Sequence, residues 1–314
     1  MVVICIIAGL AVLCLLICYC CYRMAFYSKP RKNGMAKAVP LPDGEVYKAF
    51  QPIMDKWARE LEEIPYKEFE IVSFDGLKLY GKYYEYAPGA PIEIMFHGYR
   101  GSAERDLAGG VNRCFGVGRS ALLVDQRGGG RSNGHVISFG INEHRDCLKW
   151  VDFLIEHFGP GVKIILTGIS MGAATVLIAG GKELPPNVIG ILADCGYSSA
   201  KAIMEKVIVK MGLPPKLLYP FVKLSAKIFG GFDLEETSPV EAVKHCKVPV
   251  IFYHGEADDY VPCSMSVENY NNCASRKQLV TIPGAGHGLS YPVDQEKYLI
   301  TLKEFFGPEV SARR

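Results

Sequence analysis

A serine stands at the centre of a pattern that suits nucleophilic chemistry. The segment Gly168–Gly172 reads Gly-Ile-Ser-Met-Gly; a short apolar run precedes it and the small residues of Ala173–Gly180 follow. This pattern predicts a strand, a tight turn and a helix, with Ser170 exposed at the tip of a strained backbone. The glycines are needed because strand and helix pass close on either side of that serine. Met171 then begins the helix, where its N–H is free to face an oxyanion.

A serine hydroxyl is a weak nucleophile at neutral pH and needs an adjacent base. Of the seven histidines, His287 lies in Gly-Ala-Gly-His-Gly after the last predicted strand, in a loop whose glycines allow a close approach to Ser170. The base in turn needs an orienting carboxylate. Asp258 follows the predicted strand 248–253 and precedes His287, which gives the order serine, aspartate, histidine.

Two other aspartates are alternatives for this carboxylate. Asp259 is adjacent to Asp258, and Asp194 ends the preceding strand, where a cap or turn role is the competing interpretation. His97 and His254 begin His-Gly pairs at strand ends, so we expect them to shape turns. The remaining histidines are predicted to lie at the surface: His135, His144, His157 and His245.

The elements that must position these residues alternate between strand and helix. Asp75-Gly76 between two alternating segments predicts a β-hairpin. Further apolar strands are predicted at 91–96, 121–125, 162–166, 188–193, 248–253 and 279–282. Such alternation implies a mostly parallel sheet covered by helices on both faces. An insertion at about 198–244, with two predicted helices, is expected to form a cap over the site, and the alternative is an ordinary pair of surface helices.

The N-terminal residues Val2–Tyr22 carry no charge and are long enough to cross the roughly 30 Å hydrocarbon layer of a membrane. A cleaved signal peptide is the main alternative, but neither a basic start nor a small-residue cleavage site is evident. Basic residues follow at once, which places the rest of the chain in the cytoplasm by the positive-inside rule; the extracellular face is the alternative. We therefore expect a single-pass anchor at 1–23, a linker at 24–44 and a folded domain at 45–314. Its predicted N-terminal helix, 45–61, has the apolar spacing of a core-packed amphipathic helix.

Composition excludes several other functions. The 314 residues carry a formal net charge of only +2, which gives no electrostatic case for nucleic acid. We find no metal-ligand spacing, no phosphate-binding loop and no dinucleotide fingerprint, so we expect no metal and no cofactor. Six cysteines beyond the apolar segment are scattered, which favours a reducing compartment.

Five motifs occur in an order that resembles the α/β-hydrolase superfamily over about residues 66–310. They are His97-Gly98-x-x-Gly101, Asp125-x-Arg127-Gly-x-Gly130-x-Ser132, Gly168-x-Ser170-x-Gly172, His254-Gly255-x-x-Asp258-x-x-Val261-Pro262 and Gly286-His287-Gly288. More narrowly, the chain resembles the membrane-anchored, serine-aminopeptidase-like (prolyl-oligopeptidase-related) hydrolases of bacteria.

The resemblance implies an α/β-hydrolase fold and the catalytic residues Ser170, Asp258 and His287. The family spacing before Val261-Pro262 favours Asp258 over Asp259, and the His-Gly-x motif makes the Tyr99 N–H the second oxyanion donor beside that of Met171. Arg127 and Ser132 are expected to brace a loop near the site. Arg100 is expected to be solvated, or to contact a substrate carboxylate.

The name of this family favours short peptides as substrates, whereas an apolar cap close to a membrane favours a lipid, acyl ester or thioester. We expect a membrane-anchored serine hydrolase that cleaves a carboxylic ester or related acyl substrate through an acyl-enzyme. The alternative enzyme is a peptidase, or a thioesterase or transacylase that uses the same residues. A non-catalytic binding protein is the alternative from a different class of function. The expected partners are a small acyl, lipid or peptide substrate and the membrane, with no nucleic acid.

Overall fold

A single eight-stranded sheet organises the chain in the computed structural model, which describes residues 1–29 and 44–307. Its strands are β1 (Lys67–Val72), β2 (Lys78–Tyr84), β3 (Ile92–Phe96), β4 (Ser120–Val124), β5 (Ile164–Ile169), β6 (Val188–Asp194), β7 (Val250–Gly255) and β8 (Lys277–Ile282). Their order across the sheet is β1-β2-β4-β3-β5-β6-β7-β8. The predicted hairpin is confirmed, since β1 and β2 pair antiparallel from Lys67↔Tyr83 to Val72↔Lys78.

From β4 onward all strands are parallel, whereas β2 joins β4 in the antiparallel sense. Strands β3 and β4 are buried along their whole length, as a sheet covered on both faces requires. The carboxyl ends of β3, β5, β6 and β7 therefore meet at one edge of the sheet. This is the edge at which open α/β sheets bind their ligands.

Helices cover both faces of the sheet. They are α1 (Val2–Ala25), α2 (Glu45–Lys48), α3 (Gln51–Glu63), α4 (Ala103–Gly116), α5 (Glu143–Phe158), α6 (Met171–Gly180), α7 (Ala200–Lys210), α8 (Pro215–Ser225), α9 (Pro239–Ala242), α10 (Cys263–Asn272), α11 (Ser290–Val293) and α12 (Gln295–Phe306). A π-helical turn, Ala226–Gly230, continues α8. The predicted helix 45–61 is two helices in the structure, because the chain turns at Ala49–Phe50 before Pro52, a residue suited to the first turn of a new helix.

The predicted core packing of this N-terminal segment is confirmed. Trp57 and Leu61 are buried, and the Trp57 ring stacks on Tyr291 at a centroid separation of 5.2 Å. Gly109 on α4 faces the same ring so closely that a Cβ atom there would lie 2.5 Å from it. Helix α3 therefore packs closely on α4 at this glycine.

Strand β3 carries a buried charge near its start. Glu93 in β3 is fully buried and forms ion pairs of 2.6 Å with Arg113 and with Arg119. Burial by itself raises the pKa of Glu93, but the two guanidinium groups outweigh that effect and hold the pKa at about 2. Thr167 of β5 donates a further hydrogen bond to the carboxylate. The residue pattern of this segment predicts only an apolar strand.

Helix α1 is the one helix among the described residues that is long and apolar enough to cross a membrane. Its C-terminal half packs on α8, where Cys18 and Cys21 are buried. Phe26, just beyond the helix, is completely buried between Phe139 and Phe232. Most of the predicted linker 24–44 lies outside the described residues, and the predicted domain limits stay predictions.

Candidate active site

Ser170 occupies the sharp turn between β5 and α6. Its backbone has φ 56° and ψ −116°, a left-handed conformation that is strained for a residue with a side chain. The Ser170 N–H donates to the carbonyl of Asp194 at 2.8 Å, which fixes the turn against β6. A Cβ atom at Gly168 would lie 2.1 Å from the Gly172 backbone, and one at Gly172 would lie 2.0 Å from the Phe96 carbonyl oxygen. The flanking glycines are therefore required by close backbone approach.

Three side chains form a continuous hydrogen-bonded chain at this turn. His287 Nε2 lies 2.9 Å from Ser170 Oγ, and His287 Nδ1 lies 2.7 Å from Asp258 Oδ2. Because an ionised carboxylate only accepts hydrogen bonds, Nδ1 carries the imidazole proton and Nε2 accepts from the serine hydroxyl. Each element ends where it can deliver its residue: β5 delivers Ser170, β7 leads to Asp258 and β8 leads to His287.

Asp258 is held as an anion by its surroundings. Its Oδ1 accepts the backbone N–H groups of Tyr260 at 2.9 Å and Val261 at 2.8 Å. Burial tends to raise the pKa of Asp258, but hydrogen bonds from His254 and His287 outweigh it and hold the pKa well below its usual range. The carboxylate therefore stays ionised at neutral pH, as the orienting partner of a histidine base must.

The two alternative aspartates have other partners. Asp259 is exposed and forms an ion pair with Lys210 at 3.3 Å. Asp194 is buried and accepts hydrogen bonds from Ser290 Oγ at 2.8 Å and from the Tyr298 hydroxyl at 3.1 Å. Of the three candidates, Asp258 is the one that the structure places against His287.

Two backbone N–H groups remain available beside Ser170. Within the described residues, neither Met171 N–H nor Tyr99 N–H donates to a protein acceptor. Met171 is the first residue of α6, so its N–H has no intrahelical partner. Tyr99 follows β3, and the neighbouring Gly98 N–H is held by Asp106 Oδ2 at 3.1 Å. The roles given to these two residues stay predictions.

Ser170 and His287 open onto a cavity of about 280 Å³. Most of its wall is apolar, and helices α2, α3 and α4 supply much of it. The apolar lining includes Met54, Trp57, Met95, Leu107, Leu192 and Leu289. The predicted cap at 198–244 does not line this cavity. Sequence reasoning missed the role of α3 in this wall, because apolar spacing such as that of Met54 and Trp57 predicts only that one face of a helix is buried.

Similar solved structures identify the fold. The esterase Pf2001 of Pyrococcus furiosus matches with a TM-score of 0.61 and 24% identity over 85% of this chain and 95% of that one. The acylaminoacyl peptidase of Pyrococcus horikoshii matches with a TM-score of 0.57 and 18% identity over 80% of this chain and 42% of that one. The crystal structure of the α/β-hydrolase GrgF from a Penicillium species matches with a TM-score of 0.62. The chain has the α/β-hydrolase fold.

A relative found by sequence comparison matches this chain over part of its length. The protein YqkD of Bacillus subtilis (strain 168) is 29% identical over 190 residues, which is 60% of this chain and 62% of the relative. The chain thus spans less than two thirds of that relative. No family model matches the chain.

In this α/β-hydrolase fold, the loop that carries Tyr99 is bound to the end of helix α1. The Tyr99 hydroxyl donates to the carbonyl of Ala25 at 2.9 Å, and Arg100 donates to the carbonyls of Met24 at 2.8 Å and Tyr27 at 3.2 Å. Arg100 has φ 54°, the left-handed region that favours glycine. The expectation was that Arg100 would be solvated or would contact a substrate carboxylate. In the structure its guanidinium instead donates to backbone carbonyls at and just beyond the end of α1.

The other highlighted residues hold loops together. Arg127 forms ion pairs with Asp75 and Asp146, and the Ser132 hydroxyl donates to the Asp125 carbonyl. Both arrangements agree with the predicted bracing.

The histidines outside the site are also accounted for. His97 Nδ1 lies 2.8 Å from its neighbour's carbonyl. His254 bonds Ser266 and the Val261 carbonyl, and its Nε2 also lies 3.3 Å from Asp258 Oδ2. These two shape turns, as expected. The predicted surface position of His144 is wrong: it is buried on α5, where its ring bonds the Gly140 carbonyl at 3.1 Å.

One group of described residues has donor atoms close enough to hold a metal: Cys195, Asp258 and His287, within 4.8 Å of one another. Two of them already bind each other at 2.7 Å. Burial raises the pKa of the Cys195 thiol well above its usual range, so the thiolate that would bind a metal is disfavoured. These residues suit the hydrogen-bonded chain better than a metal site.

Proposed function

We propose that this chain is a membrane-anchored serine hydrolase of carboxylic esters. The observation that carries the proposal is the continuous chain Asp258–His287–Ser170 at the edge of an apolar cavity. The likeness to an esterase and to a peptidase of the same fold supports the general class of reaction.

Acylation begins when Ser170 Oγ attacks the ester carbonyl carbon while His287 Nε2 takes the hydroxyl proton. Asp258 stabilises the imidazolium that forms, and it keeps the ring oriented without itself becoming protonated. The N–H groups of Tyr99 and Met171 donate to the oxyanion of the tetrahedral intermediate. The intermediate collapses as His287 returns its proton to the departing alkoxide, which leaves as an alcohol.

Deacylation repeats these steps with water. His287 Nε2 takes a proton from water as the water oxygen attacks the acyl carbonyl, and the same two N–H groups hold the second oxyanion. His287 then protonates Ser170 Oγ as the acyl–oxygen bond breaks. The product is a carboxylic acid, and the serine is restored for a further cycle.

The cavity favours an acyl chain over the free amino terminus of a peptide. An aminopeptidase needs an unoccupied carboxylate to receive the substrate ammonium group. Asp106 and Asp194 are the acidic residues of the lining, and both are engaged: Asp106 with Arg105 at 2.6 Å, and Asp194 with two hydroxyls. Burial also raises the pKa of Asp194, which weakens its claim as an anion. The remaining wall offers apolar contact.

An acyl-length series tests this function on the purified full chain. Each methylene buried in the cavity is worth about 0.8 kcal/mol, so kcat/KM for p-nitrophenyl esters should rise roughly fourfold per carbon until the cavity is full. Aminoacyl p-nitroanilides should be poorer substrates than esters of similar size. Faster cleavage of the anilides would favour the peptidase alternative, and a thioester series tests the thioesterase alternative in the same way.

Helix α1 is the proposed anchor, with the catalytic domain on the cytoplasmic side. Its apolar length and the basic residues Arg23 and Lys29 that follow support this orientation. Protease added to intact cells should leave the domain whole and should digest it once the cells are opened. Digestion in intact cells would place the domain on the extracellular face.

A further inference from the structure

One side of helix α1 is covered by the insertion 198–244. The partly or fully buried residues of the helix recur at helical spacing on this side: Cys14, Ile17, Cys18, Cys21, Tyr22 and Ala25. Phe229 of the π-helical turn contacts the C-terminal half of α1, where its ring centroid lies 5.5 Å from that of Tyr19 and 5.8 Å from that of Tyr22. Helix α8 and its continuation therefore lie along the second half of α1.

The length of the exposed part of α1 places α8 within the hydrocarbon layer of the membrane. The residues of α1 that are exposed on every side end at Leu13. At about 1.5 Å per residue, Val2–Leu13 spans about 18 Å. The hydrocarbon layer is about 30 Å thick, so roughly 12 Å of it must be crossed by the part of α1 that α8 covers. The outer surface of α8 then meets lipid rather than water.

The insertion exposes apolar side chains on α7, on the turn after it, on α8 and on the π-helical turn. Six large apolar side chains of the insertion are exposed, and we call them the cap face: Val209, Met211, Leu213, Leu217, Leu224 and Ile228. Leu217 is 66% exposed, which is unusual for a leucine in water but costs nothing in hydrocarbon. Two exposed lysines, Lys216 and Lys227, lie next to cap-face residues in the chain, and their long stems allow the ammonium groups to reach lipid phosphates.

We propose that the cap face is inserted in the anionic leaflet of the bilayer beside α1. The proposal rests on the anchoring proposed above, and it adds a second surface that binds lipid without crossing the membrane. Its support is the continuity of the cap face with a helix whose free length is too short to span the hydrocarbon layer by itself.

This orientation turns the reactive edge of the sheet toward the membrane. Tyr219 and Val222, on the inner side of α8, share one hydrophobic cluster with Met171, which follows the nucleophile, and Tyr99 packs against that cluster. Through its inner side, helix α8 therefore contacts the same hydrophobic cluster as the residue that follows the nucleophile.

Tryptophan placed on the cap face measures its depth. The native Trp57 and Trp150 are buried, so they give the same background in every variant. The full-length L217W variant is reconstituted in vesicles of brominated phosphatidylcholine and phosphatidylserine, with unbrominated vesicles as reference. The matched control is I300W, because Ile300 is exposed on α12. Helix α12 packs in the hydrophobic cluster around Trp57, whereas α8 belongs to a different cluster. A second variant, L224W, repeats the measurement elsewhere on the cap face.

Bromine quenches only by contact inside the bilayer, so L217W and L224W should lose roughly half of their added fluorescence while I300W loses none. Flotation of the same samples separates the outcomes. A chain that does not float with the vesicles contradicts the anchor and the cap face together. A chain that floats without extra quenching at 217 and 224 contradicts membrane insertion of the cap face but not the anchor. Cross-linked dimers in that sample would show that a second copy of the chain covers the cap face. Ester hydrolysis is not part of the readout, so failure of the hydrolase proposal is seen separately.

Discussion

Replacing Ser170 by alanine is expected to lower kcat for ester hydrolysis by about 10⁶-fold, the scale seen when a triad serine is removed. In the proposed mechanism the hydroxyl is the one group of the protein that forms a bond to the acyl carbon, whereas His287, 2.9 Å away, only transfers protons. A fluorophosphonate probe, which reacts with activated serines, should label the wild type and fail to label S170A.

Stability is the control for this variant. Ser170 is held by its backbone N–H, and alanine keeps that group, so the thermal midpoint of S170A should stay close to that of the wild type. The left-handed φ is equally strained for either residue. Turnover that survives in a folded S170A would remove Ser170 from the mechanism.

Asp258→Asn is expected to lower kcat by about 10⁴-fold, because the amide favours the wrong tautomer of the histidine. Asn can present its NH₂ to His287 Nδ1, which would move the ring proton to Nε2 and remove the base from Ser170. Asp259→Asn is the matched control at the adjacent position, where an exposed ion pair with Lys210 is lost and kcat should change little. A larger loss in D259N than in D258N would move the orienting carboxylate by one residue.

The same pair of variants differs in its response to acid. The folded-state pKa of Asp258 lies below its ordinary value of about 3.9. Its ionisation therefore stabilises the fold at all pH values above about 4, and this contribution is lost as pH falls below that value toward the folded pKa. Denaturation at several pH values should show this loss in the wild type and in D259N, and D258N should lack it.

Much of the scaffold follows from local patterns. The strands that lead to Ser170, Asp258 and His287 are short and apolar, and each is followed by a glycine-containing turn. Both the strands and their position before the three catalytic candidates could therefore be predicted. The order of the three residues along the chain also limited the possible partners of Ser170. Parallel strands then bring their carboxyl ends to one edge without any long-range information.

Contacts between distant segments could not be predicted in this way. Nothing in the spacing of Trp57 indicates that it forms a wall of the cavity, since the same spacing serves any buried helix. Glu93 was overlooked because its two arginine partners lie 20 and 26 residues further on, outside any window of periodicity. The position of 198–244 against α1, away from the cavity, likewise depends on tertiary packing.

The hydrogen bonds from Tyr99 and Arg100 to the end of α1 bear on how this chain can be shortened. A soluble version that starts after Tyr27 would leave the Tyr99 hydroxyl and the Arg100 guanidinium without their acceptors. It would also leave a hole where the Phe26 ring fills the space between Phe139 and Phe232. Cutting after Tyr22 would keep all of these contacts and remove most of the apolar segment. The last turn of α1 therefore belongs with the folded part of the chain, and a shortened chain should preserve it.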